Sequence, residues 1–103
     1  HNKNNKKNKI YNNIILKISK TNHIDIYNLY CMKKNQLYNI GIARINKDIS
    51  NYLYSYFKNK DLSYKKSIEC SFNKKFNKWV PIKFIDKPVN DYFDIKEFIN
   101  KNV

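Results

Sequence analysis

Residues 67–90, SIECSFNKKFNKWVPIKFIDKPVN, limit the possible fold more than any other part of the chain. Two apolar runs, 67–72 and 79–85, flank a Lys/Asn turn, which is the pattern of a β-hairpin. The second run contains Pro81, which has no N–H to give to a ladder. Its strand must therefore lie at a sheet edge or be bulged at that point. Strand alternation sends Val80, Ile82 and Phe84 one way and Trp79, Pro81, Lys83 and Ile85 the other. The run ends in Ile85-Asp86-Lys87-Pro88, a polar cluster at a strand exit.

The rest of the chain supplies elements this hairpin can join. Residues 10–19 alternate, with Ile14, Leu16 and Ile18 opposite Ile15, Lys17 and Ser19, as in a strand. Ile10, Ile14 and Ile18 also fit helical spacing. Residues 24–32 are β-branched and aromatic, hence a second strand. Lys33-Lys34-Asn35-Gln36 is a polar turn, and 37–45 a third strand. Gly41, the only glycine, marks either a bulge or bend there, or a lack of room for a side chain.

Asp48 is a candidate N-cap. Ile49, Tyr52, Leu53, Tyr56 and Phe57 form one face of the helix that follows, which Lys58–Lys60 would close. After the hairpin, Asp91 or Asp94 caps a last helix reaching about Asn100, with Tyr92, Ile95 and Ile99 as its apolar face.

The order β-β-β-α-β-β-α is that of a five-stranded OB-fold-like barrel, mostly β with two helices. A small α+β antiparallel sheet fits the same string. A length of 103 residues suits one domain, taken as 10–103, preceded by a basic arm or linker end over 1–9. The chain opens on His1 rather than Met, as a fragment or a processed product would.

The formal net charge is +13, and Arg44 is the only Arg among 21 basic residues. Such charge favours a polyanion partner, RNA or a nucleotide triphosphate. Abundant Lys, Asn, Ile and Tyr also fit A/T-rich coding, so part of the charge can be compositional. Cys31 and Cys70 lie in apolar runs and read as buried free thiols of a reducing compartment, cytoplasmic or nuclear. The sequence offers no four-ligand zinc cluster, no Gly-rich phosphate loop, no Ser–His–Asp set and no membrane span.

Ile68-Glu69-Cys70-Ser71-Phe72, Trp79-Val80-Pro81-Ile82-Lys83, Asp86-Lys87 and Asn90, with a closing helix, resemble the C-terminal OB-fold of mRNA capping guanylyltransferases. These belong to the nucleotidyltransferase and DNA ligase superfamily. The phrasing IYNLYC and KKFNKWVPIK is also similar to proteins of large DNA viruses with A/T-rich genomes. The resemblance implies that Lys83, Asp86, Lys87 and Asn90 meet nucleotide phosphates. It implies GTP and Mg only where the chain belongs to a capping enzyme, and a catalytic domain or larger complex as partner. Ile85 stands where the family has its second basic residue. The nucleotide-accepting motif K-x-D-G is missing from the sequence, so the chain lacks the nucleophile needed to be catalytic alone.

Apart from the resemblance, Trp79, Tyr27 and Tyr38 are candidate base-stacking platforms, Trp79 reading equally as a core or interface residue. Glu69 is read as a structural partner for Arg44 or for a Lys across the sheet. The rival classes are a small basic subunit of an RNA-containing machine, such as a ribosome or RNA polymerase, and a protein-interaction module.

Overall fold

A computed structural model describes residues 13–102. The expected arm, 1–9, lies outside them. The elements come in the expected order: β1 (Ile14–Lys20), β2 (Tyr27–Lys33), β3 (Gln36–Ile42), α1 (Lys47–Phe57), β4 (Lys66–Asn73), β5 (Lys78–Phe84) and α2 (Tyr92–Asn102). All strand pairs are antiparallel, in the spatial order β3-β2-β1-β4-β5.

A sheet in this order closes into a barrel only if its edges, β3 and β5, meet. A backbone hydrogen bond from Arg44 N to Trp79 O, 2.9 Å, spans that gap just past the end of β3. No ladder joins the two edges among the described residues.

Alternation places Ile14, Leu16 and Ile18 of β1, Tyr27, Leu29 and Cys31 of β2, and Ile68 and Cys70 of β4 inside. Helix α1 adds Ile49, Leu53 and Phe57, and α2 adds Ile95 and Phe98. Tyr52 and Tyr56 of the expected α1 stripe lie partly outside and pack on Phe84, at centroid distances of 5.1 and 4.5 Å. Ser19 is buried, and its hydroxyl lies 3.0 Å from that of Tyr30. Both cysteines are buried free thiols. Burial pushes the Cys31 thiol up to about 11 and raises Cys70 as well, so neither is a ready nucleophile at neutral pH.

Two bulges shape the sheet edges. In β3, Leu29 pairs with Gly41 but Tyr30 pairs with Asn39, leaving Ile40 as the extra residue. Gly41 has φ of +119°, and a Cβ there would touch nothing within 4 Å. Its backbone angle, not lack of room, therefore selects glycine. In β5, Cys70 pairs with Pro81 but Glu69 pairs with Lys83, leaving Ile82 extra. Pro81 thus lies on an edge strand and at a bulge, which meets both conditions for a proline in a sheet. The bulge also resets the alternation. Trp79 and Pro81 point inward, Ile82 and Lys83 are exposed, and Phe84 returns to the core. The expected pairing of Ile82 with Phe84 on one face is corrected accordingly.

The α1 cap is also corrected. Asn46, not Asp48, is the N-cap, its side chain accepting from Ile49 N at 3.0 Å. Asp48 sits in the first turn, where its charge suits the helix dipole. At α2 the expected acids act together. Asp94 N donates to Asp91 Oδ1 and Asp91 N to Asp94 Oδ2, a reciprocal cap.

Asn90 ties these parts together. The β1–β2 ladder stops at Lys17–Tyr30. Beyond it, Asn90 N donates to Ile15 O, Ile15 N donates to Asn90 Oδ1, and Met32 N donates to Asn90 O. Asn90 Nδ2 donates to Asp94 Oδ2, 3.0 Å away. One residue thus fills the place where two strands part and aims the last helix. Asn90→Ala removes two side-chain bonds and leaves the half-buried Ile15 N–H unpaired. A loss of about 2–3 kcal/mol is expected, measured as the urea unfolding midpoint; a loss under about 0.5 kcal/mol would contradict this role.

Candidate nucleic-acid interface

The gap between β3 and β5 is a cleft of about 310 Å³, crossed by α2. Leu29 and Trp79 line it from the sheet, Ile40, Gly41 and Ile42 from β3, Asn77 and Lys78 from the β5 side. Tyr92, Ile95, Lys96, Ile99 and Asn100 line it from α2. Both edge strands turn backbone groups that are outside the ladder toward this space.

A cation–aromatic cluster stands at each end. At one end, Lys33 Nζ lies 4.3 Å from the ring centroids of both Tyr38 and Tyr92. The two rings meet edge-to-face at 5.5 Å, and Lys96 Nζ is 5.7 Å from Tyr92. At the other end, the Arg44 guanidinium stacks on Phe76, 3.7 Å from its centroid, and Lys75 Nζ approaches the same ring at 5.6 Å. Phe76 is 44% exposed although it is a large apolar side chain at the tip of a turn. Each exposed contact is worth about 0.5–1 kcal/mol.

Both clusters are held by tight turns. Lys34 and Asn35 have φ of 54° and 65° between the paired Lys33 and Gln36, as a two-residue type I′ hairpin requires. In the β4–β5 turn, Phe76 N donates to Asn73 Oδ1 and Asn77 has φ of 55°. Lys74, Lys75 and Lys78 crowd that tip. In an OB-like sheet, the β2–β3 face and the β4–β5 loop are the surfaces used for oligonucleotides.

The sequence-derived candidates divide. Tyr38 is 41% exposed and lies at the cluster. Tyr27 is only 4% exposed and packs on Phe57 at 5.6 Å. Trp79 is 6% exposed, between Phe72 at 4.9 Å and Phe98 at 5.4 Å. Neither offers an open ring face: Tyr27 is core, and Trp79 takes the core reading and forms part of the cleft wall.

Lys83, Asp86 and Lys87 are exposed. All four polar groups of Asn90 are used within the fold. Lys83 pairs with Glu69, Glu69 with Ile15, and Ile15 bonds Asn90. Three strand spacings therefore separate the Lys83 and Asn90 backbones, about 14 Å. Glu69 stands opposite Lys83 in the ladder, and its carboxylate accepts from Asn13 Nδ2 at 2.6 Å. Arg44 instead goes to Phe76.

Phe76 and Lys96 are not among the sequence-derived candidates, and Arg44 enters there only as a possible partner of Glu69. The available signal was an aromatic residue placed between lysines inside a turn, KKFNK.

Lys34 occupies a left-handed position that Asn or Gly fills at lower cost. Lys34→Asn is expected to stabilise the fold by about 0.5–1 kcal/mol, read from thermal or urea unfolding; destabilisation would show that the turn needs the lysine for folding. Comparison with protein-family models, with curated proteins and with solved structures found no match to this chain.

Proposed function

We propose that this domain binds single-stranded RNA along the β3–β5 cleft edge, from the β2–β3 turn past α2 to the β4–β5 turn. The observation that carries the reading is the pairing of exposed or half-buried rings with cations at both ends of one cleft: Lys33 with the exposed Tyr38 and the half-buried Tyr92, and Arg44 with the exposed Phe76. Rings accept any base by stacking, and lysines and Arg44 follow the phosphates as a sequence-tolerant electrostatic track. The acids nearest the α2 entrance, Asp91 and Asp94, are occupied in the helix cap. Lys34 supports the same reading, because a strained turn position carries a charge that folding does not ask for.

The capping resemblance supports a different surface. There, Lys83, Asp86 and Lys87, exposed beside the β5 exit, would meet a nucleotide triphosphate held by a separate catalytic domain. The two surfaces separate by substitution.

Binding of a labelled single-stranded RNA oligomer is measured by anisotropy across a salt series. Replacing Lys33, Lys34, Lys74 and Lys75 by Ala is expected to flatten the slope of log K against log salt by about 3, at about 0.7 per lost phosphate contact. Lys83→Ala with Lys87→Ala should leave affinity within about twofold. The reverse pattern would move the site to the capping-type surface. An absence of RNA binding at low salt would remove both readings and leave a protein-interaction module.

A further inference from the structure

The proposed track has a hollow in its middle, and the hollow has the character of a base-binding site rather than a phosphate site. Its floor is apolar, formed by Leu29, Trp79 and Ile95, while its rim carries Lys78 and Lys96. The amides of Asn77 and Asn100 also lie on the rim, and neither bonds to another group among the described residues. At about 310 Å³ the space lies at the small end of ligand pockets. A phosphate would be poorly solvated against that floor, whereas a nucleobase would bury its faces and keep its edge near polar groups. Primary amides offer both a donor and an acceptor, as base edges require. The lysines on the rim suit the phosphates on either side of an inserted base, and the charge of +13 favours a strand over a neutral ligand.

We infer that one nucleobase of the bound strand turns out of the stack and inserts into the β3–β5 cleft beside Trp79, its edge facing Asn77 and Asn100 and its flanking phosphates facing Lys78 and Lys96. This rests on the RNA-binding reading above. It adds a single unstacked nucleotide as the unit the cleft selects.

Trp79 is the only Trp in the chain, so its emission reports the cleft alone. A short single-stranded RNA is titrated into the protein while anisotropy reports binding and Trp79 emission reports insertion. Binding is expected to quench Trp79 by about half, through close contact of the base with the cleft wall. An abasic ribose-phosphate oligomer should bind through its phosphates without quenching. Asn100→Phe, at an exposed helix position over the cleft mouth, should abolish the quench and weaken RNA binding about 10-fold, with unchanged thermal unfolding. Binding of RNA without quenching would overturn the insertion and leave the surface track intact. Quenching by a free mononucleotide at the same affinity as the oligomer would make the cleft a nucleotide site and overturn the strand assignment. No RNA binding at low salt would overturn both.

Discussion

The hydrogen bonds of Asn90 decide the shape of this domain. Where β1 and β2 part, two backbone edges would otherwise be left open. Asn90 closes them by bonding Ile15 on one side and Met32 on the other, while its amide anchors Asp94 at the head of α2. The direction of α2 follows, and with it the position of Ile95 and Phe98 under the sheet. Because α2 runs across the space between β3 and β5, that space becomes a lined cleft rather than an open seam. A residue that the capping resemblance assigns to phosphate binding thus has its polar groups committed to folding.

The two bulges act at the other side of the same cleft. Gly41 bends β3 through a backbone angle that other residues adopt only with strain. Beyond that bend, Arg44 reaches both Trp79 O with its backbone and Phe76 with its side chain. The β5 bulge turns Trp79 and Pro81 inward and lets Phe84 rejoin the core beside α1. Edge irregularities therefore leave β3 and β5 apart, with aromatic and basic side chains at both ends of the gap. A closed ladder would have removed the cleft.

Much of the fold was legible in the sequence because its signals are local. The order of seven elements followed from alternation, from helical spacing in 49–57 and from the polar turns. Pro81 announced an edge or a bulge, and Gly41 a bulge or a bend among its readings, because each breaks a backbone rule that few structures can accommodate. Ile24 was less informative. It looked like strand but lies exposed before β2, which begins at Tyr27. Asn46 took the cap from Asp48 because either polar residue can bond a helix N–H, and geometry settles between them. The site was less legible. Trp79 and Tyr27 carry the same letters whether they face solvent or core, and the bulge that sets the β5 faces is a tertiary event. Arg44 and Phe76 meet only because the β4–β5 turn folds against the end of β3. Among the described residues, no helix is long and apolar enough to cross a membrane.

The central claim is that the RNA strand follows the cleft edge. Backbone amide shift mapping with a single-stranded RNA oligomer tests it directly. The account predicts perturbed amides at Lys33–Lys34, at 38–44, at 74–79 and along α2, with Lys83 and 85–87 unmoved. Perturbations confined to Lys83, Asp86 and Lys87, with the two turn tips silent, would contradict it.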